Sequence, residues 1–148
     1  MTVLETGCGV GWFTIPMAKM VGDRGRVIAV DLQQQMLDMM RRRAERAGVA
    51  DRIEAHKCDQ NRLGIEAQAG FALAFAMVHE VPDQPRLFGE IRACLKPDAK
   101  LLLAEPPIHV SDKTFSAEAA TAKEAGFRVV GAPHVRWCRA VLLEKDTA

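Results

Sequence analysis

Along this chain, short apolar and β-branched runs alternate with longer segments whose apolar residues recur at helical spacing. That alternation is the pattern of βαβ units, in which strands covered on both faces build a mainly parallel sheet. Seven strands are predicted, over residues 2–5, 26–31, 52–57, 71–78, 100–105, 127–132 and 136–144. Only a few residues around Pro133 to Val135 separate the last two, too few for a parallel crossover, so those two must pair antiparallel.

Helices fill the gaps between strands. Residues 33–47 place Met36, Met40, Ala44 and Ala47 on one face and Arg41, Arg42, Arg43 and Arg46 mostly elsewhere, with Gly48 as the stop. After Val81, Asp83 reads as an N-cap and Pro85 as a first-turn residue. Leu87, Ile91 and Cys94 then form a buried stripe ending at Lys96-Pro97. Another helix is predicted from about Phe115 to Ala125, closed by Gly126. No repeat, low-complexity tract or Gly/Ser linker divides the chain, and a length of 148 residues favours one domain, 1–148.

Charge and cysteine usage narrow the function classes. Lys+Arg (20) and Asp+Glu (19) nearly cancel, so net charge supplies no pull toward nucleic-acid phosphates or anionic lipid. A nucleic-acid partner is therefore unsupported. The N-terminus lacks the basic-then-apolar order of a signal peptide, and no apolar run approaches bilayer length, so a cytoplasmic location without membrane attachment is expected. Cys8, Cys58, Cys94 and Cys138 lie far apart with no C-x-x-C pair, and read as small hydrophobes in a reducing compartment.

Candidate chemistry begins where the first strand runs into Gly7-Cys8-Gly9-Val10-Gly11 and then into a helix starting near Trp12 to Pro16. Glycines at such a turn let the backbone approach a ligand closely, and the helix start presents N–H groups toward it. The second strand ends in Asp31, 24 residues after Gly7, where a carboxylate can accept hydrogen bonds from both hydroxyls of a ribose. A nicotinamide dinucleotide site would need a third glycine at position 12, and Trp12 stands there instead.

Val3-Leu4-Glu5-Thr6-Gly7-Cys8-Gly9-Val10-Gly11 resembles the first motif of class I S-adenosylmethionine-dependent methyltransferases, an acidic residue followed by G-x-G-x-G. The resemblance implies a three-layer, Rossmann-like α/β fold whose seven-stranded, mainly parallel sheet has the order 3-2-1-4-5-7-6 with the last strand antiparallel. It also implies S-adenosylmethionine as cofactor and S-adenosylhomocysteine as product. Carried over residue by residue, Glu5, Gly7, Cys8, Gly9 and Gly11 would hold the methionine part, Glu5 standing where Asp is commoner and serving the ammonium. Asp31 would bind the ribose and Leu32 would lie against the adenine. Asp59, with Gln60 beside it in His56-Lys57-Cys58-Asp59-Gln60, would accept from the adenine amino group, while Ala76 and Met77 would close the pocket. Leu95-Lys96-Pro97-Asp98 resembles the turn before the fifth strand in the small-molecule branch of the family, which includes quinone-biosynthesis C-methyltransferases. Here Pro97-Asp98 replaces a usual glycine pair. Helices that family members carry before the first strand are missing from this sequence. The expectation that follows is a shortened form or a homodimer that covers an exposed sheet face.

Two readings of His79, which follows the fourth strand, stay open: a general base on the methyl acceptor, or a polar residue at a strand end. His109 is a second, weaker substrate-contact candidate on a loop. Glu105-Pro106-Pro107-Ile108 reads as a turn, since Ile108 could not stack on a flipped base. No carboxylate cluster with divalent-metal spacing stands after the fourth strand, so no metal site is expected. The expected function is methyl transfer from S-adenosylmethionine to a small-molecule acceptor. The alternative is a cofactor-binding module or non-catalytic subunit that needs a partner chain.

Overall fold

A computed structural model describes residues 1–147 and shows seven strands and four α-helices in alternation. The strands are β1 (Thr2–Thr6), β2 (Arg26–Asp31), β3 (Ile53–Lys57), β4 (Ala69–Phe75), β5 (Leu95–Glu105), β6 (Phe127–Gly131) and β7 (Arg139–Lys145). The helices are α1 (Thr14–Val21), α2 (Gln34–Arg46), α3 (Gln84–Ala93) and α4 (Asp112–Glu124). Strand order is β3-β2-β1-β4-β5-β7-β6, as the sequence reading expected, and the chain forms two compact units, Met1–Gly64 and the remainder from Ile65.

In the first unit β1, β2 and β3 run parallel, with Leu4 opposite Ile28 and Val30 opposite His56. Val27, Ile28, Ala29 and Val30 are all buried, as a strand covered on both faces requires. Helix α2 buries Leu37, Met40 and Ala44 rather than the expected face led by Met36, which is only half-buried. The i, i+3, i+7 spacing of those three follows one helical face better than i, i+4, i+8 does, because 3.6 residues make a turn. Gly48, at φ 71°, terminates the helix in a conformation that glycine adopts without strain.

In the second unit β4 and β5 are parallel, while β7 pairs antiparallel with both β5 and β6. Helix α3 is capped as expected: Asp83 Oδ1 accepts from the Arg86 amide at 3.1 Å, with Pro85 in the first turn. Its buried stripe of Leu87, Ile91 and Cys94 gains Phe88, whose ring meets Phe127 of β6 edge-on. Ser111 caps α4 by accepting from the Thr114 amide at 3.2 Å, so that helix begins at Asp112 and not near Phe115.

The three largest differences from the expected strand boundaries each fall where a non-glycine residue takes a positive φ. The fourth strand stops at Phe75 because Ala76 sits at φ 55°, and Val78–Glu80 then form a single 3₁₀ turn. The fifth begins at Leu95, since Asp98 at φ 59° lets the chain bulge and re-enter the ladder at Lys100. Asp tolerates that conformation, which explains how it stands where the family has glycine. The seventh starts at Arg139, after Trp137 at φ 63°. Among the described residues no helix is long and apolar enough to cross a membrane, and no disulfide joins the four cysteines, of which Cys8 and Cys94 are buried.

Candidate active site

The first unit brings the predicted cofactor residues together at the carboxyl ends of its three parallel strands. Leaving β1, the amides of Gly7 and Cys8 both donate to the carbonyl of Val30, at 2.8 and 3.0 Å, which ties the loop to the end of β2. Gly7, Gly9 and Gly11 take φ values of 72°, 55° and 91°, a sequence of left-handed turns that side-chain-bearing residues resist. A Cβ on Gly11 would lie 2.8 Å from Cγ of Met40, so glycine is required there for α2 to pack against the loop. A Cβ on Gly9 would meet nothing within 4 Å. The loop therefore presents bare backbone beside open space, a cradle that a ligand can approach.

Asp31 organises the strand ends. Its Oδ2 accepts from the Gly9 amide and its Oδ1 from the Gln33 amide, each at 2.9 Å, while its carbonyl accepts from Cys58 N at 3.0 Å. A carboxylate offers about four acceptor positions. One backbone bond on each oxygen leaves a second lone-pair direction on each, enough for the two hydroxyls of a ribose. Leu32 follows with nearly half its surface exposed, and Gln60 is exposed.

After β3, Asp59 Oδ1 accepts from the Asn61 amide at 2.8 Å, fixing a tight turn that pairs Asp59 with Arg62. That turn walls a cavity of about 280 Å³ lined by His56, Lys57, Cys58, Asp59, Arg62, Leu63 and Gly64. The volume sits at the lower edge of the ~300–1,000 Å³ range of small-ligand sites.

Glu5 is almost fully buried, and its Oε2 accepts from the hydroxyl of Thr14, the first residue of α1. Burial pushes its carboxyl up to about 7; the Thr14 bond pulls the other way, and the Asp31 charge adds to the rise. A carboxyl so raised changes its charge readily with its surroundings. The Cys8 thiol is pushed up to about 12 by burial and by the charges of Glu5 and Asp31, so it is a neutral part of the loop and no nucleophile.

In the second unit Ala76 and Met77 follow β4, both half-buried, and the Ala76 amide donates to the Ala104 carbonyl at 2.9 Å. Holding alanine at φ 55° costs about 1 kcal/mol or more, strain of the kind that collects at functional sites. His79 lies in the 3₁₀ turn that follows, with its Nδ1 2.6 Å from Oε2 of Glu105. Its ring stacks on that of His109 with centroids 5.7 Å apart and planes 6° from parallel. Glu105 is fully buried and its Oε1 has no partner.

Glu105 and Glu118 were missed by sequence reasoning, as was Thr14. Glu105 closes the apolar run Leu101-Leu102-Leu103-Ala104 of β5, and a charge inside such a run was the available signal. Glu118, on the buried face of α4, has neither oxygen hydrogen-bonded. Burial and the neighbouring Glu105 push its carboxyl up to about 7.

Residues 3–98 match the model of a family described as a methyltransferase domain. The chain is 33% identical over 108 residues to a demethylmenaquinone methyltransferase of Lactobacillus johnsonii, covering 69% of this chain and 42% of that one. Less than half the length of the curated relatives first matched is spanned. Among solved structures, a SAM-dependent methyltransferase of Aquifex aeolicus superposes with a TM-score of 0.84 at 25% identity, covering 97% of this chain and 81% of that one. A [4+2]-cyclase, SpnF, reaches a TM-score of 0.81 at 16% identity, covering 99% and 76% respectively, and shares the fold alone. A match over residues 3–98 takes in the glycine loop, Asp31, Asp59 and His79, and on it this chain belongs to the methyltransferase domain family.

Proposed function

We propose that this chain is an S-adenosylmethionine-dependent methyltransferase acting on a small-molecule acceptor, with residues 1–148 serving as one catalytic domain. The observation that carries the reading is the convergence on Asp31. Its two carboxylate oxygens anchor the glycine loop at Gly9 and the start of the next segment at Gln33 while retaining acceptor capacity for a ribose. The cradle beside Gly9 suits the methionine part, and Glu5 suits its ammonium. Leu32 and the cavity at Asp59 suit the adenine. The bound cofactor would supply an electrophilic methyl on a sulfonium; the residues supply position, and orientation accounts for most of the rate.

His79 is assigned as the acceptor-side base, with Ala76 and Met77 closing the pocket. Likeness to a demethylmenaquinone methyltransferase supports a small-molecule acceptor. The cytoplasm, where four cysteines without disulfides stay reduced, is the compartment we assign.

Calorimetric titration with S-adenosylhomocysteine tests the reading. Wild type should bind. Asp31→Ala, which removes two charge-assisted hydrogen bonds of about 1.5–3 kcal/mol each and frees the loop, should weaken binding by about 100-fold or more. Failure of the folded wild type to bind, or equal affinity in the two proteins, sinks it.

A further inference from the structure

The segment between β6 and β7 holds a tryptophan that the fold does not need. The Cys138 amide donates to the Val135 carbonyl at 3.0 Å, closing a four-residue turn whose third residue, Trp137, sits at φ 63°. Glycine or asparagine makes such a turn without strain. A larger residue lowers the population of the turn by about 5–30-fold. Packing does not return that loss, because 77% of the surface of Trp137 is exposed. The Arg136 guanidinium lies over the ring, its Cζ 5.4 Å from the centroid. An exposed cation–π contact of that kind returns only about 2–5-fold.

The turn stands at the end of the sheet that carries His79. Because β7 runs antiparallel to β5, it begins where β5 ends, with Arg139 opposite Glu105, the residue bonded to His79. Arg139 Nε donates to the Val110 carbonyl at 3.1 Å and its guanidinium pairs with Asp112, which fastens this loop to the one after β5. In that neighbouring loop the His109 and Val110 amides both donate to the Pro106 carbonyl, at 3.1 and 3.2 Å. They hold Ile108, almost wholly exposed, beside the His109 ring that covers His79. Residues 132–138 contribute His134 and Arg136 and no acid, so the loop bearing the indole is basic.

We propose that Arg136 and Trp137 select the acceptor, a small molecule whose planar aromatic ring carries a carboxylate, with the ring stacking on the indole and the carboxylate accepting from the guanidinium. The inference rests on the acceptor-side reading of His79 given above, and deepens it by naming the acceptor's class. An indole offers a large, stiff apolar face for stacking. A planar guanidinium meets a carboxylate through two parallel N–H···O bonds. A neutral ring leaves the guanidinium unused and a saturated acid leaves the indole unused, so the pair favours ligands that have both. Neither residue takes a proton or touches the methyl group; both determine specificity.

Calorimetric titration of the protein saturated with S-adenosylhomocysteine tests the proposal with three kinds of probe. These are the ortho, meta and para hydroxybenzoates, the corresponding hydroxybenzyl alcohols, which lack the charge, and cyclohexanecarboxylate, which lacks the aromatic ring. Wild type should bind at least one hydroxybenzoate about 10-fold or more tighter than its alcohol and than the cyclohexane acid. Arg136→Gln should erase the preference over the alcohol, and Trp137→Gly the preference over the cyclohexane acid, both with S-adenosylhomocysteine affinity unchanged. Glycine relieves the strain of the turn, so Trp137→Gly should melt within about 5 °C of wild type or above it. Wild type that binds the three kinds of probe equally or none of them, or variants that keep its preferences, overturns the proposal. A larger fall in the melting temperature of Trp137→Gly overturns it too, since the ring would then be structural. Absent S-adenosylhomocysteine binding to wild type defeats the reading of function, whereas intact binding without these preferences defeats this inference alone.

Discussion

Replacing Glu118 with glutamine should change how the stability of this protein depends on pH, by an amount the structure fixes. In the folded chain the carboxyl is nearly inaccessible, has no hydrogen-bond partner and lies beside Glu105, which together push it from an ordinary 4.5 up to about 7. Between those values the folded state keeps a proton that the unfolded chain has already released, so stability falls as pH rises through the window. The contribution is intact below about 4.5 and fully lost above about 7. A rise of that size, at 1.36 kcal/mol per pH unit, gives an upper value of about 3 kcal/mol, and relaxation or water entry brings it toward ~1 kcal/mol. Glu5, also pushed up to about 7, contributes in the same direction but is common to both proteins and cancels in the comparison. Urea denaturation at pH 5 and pH 8 measures the difference. Glu118→Gln should gain about 1–3 kcal/mol relative to wild type on going from the lower pH to the higher, whatever its absolute stability. A mutant-minus-wild-type difference that is the same at both pH values refutes the reasoning.

Two glycines of the same loop should respond differently to alanine. Gly11→Ala meets Met40 and should lose about 1–3 kcal/mol of stability, read by denaturation. Gly9→Ala meets only open space, so its stability loss should stay near ~1 kcal/mol while its affinity for S-adenosylhomocysteine falls disproportionately. Glu5, half-ionised near pH 7, should release up to about half a proton when the ligand's ammonium arrives. Calorimetry at pH 7 in buffers of different ionisation enthalpy detects that release, and Glu5→Gln should abolish it.

Much of the fold was legible because its signals are local. The alternation of apolar strands with amphipathic helices gave the seven strands, the family resemblance implied their order, and a gap too short for a parallel crossover sufficed to make the last pair antiparallel. What was illegible was where three strands break. Ala76, Asp98 and Trp137 all adopt positive φ, and nothing in an alanine or a tryptophan announces it. At Ala76 the amide donates to the Ala104 carbonyl, a tie to distant chain that local propensity does not contain. On α2 the exchange of Met36 for Leu37 has a simpler origin: both fit an apolar stripe, and Leu37 shares the face of Met40 and Ala44 more closely at 3.6 residues per turn.

The candidate site divides along the same line. The glycines and Asp31 were legible from their positions at strand ends, and Asp59 from the family resemblance, because parallel strands deliver their carboxyl ends to one edge. Glu105 and Glu118 could not, because their meaning lies in one another. A glutamate closing an apolar run and a glutamate on an unremarkable helix are each ordinary in sequence. Only the fold turns them into a buried pair of which one is bonded to an imidazole and the other is left to hold a proton.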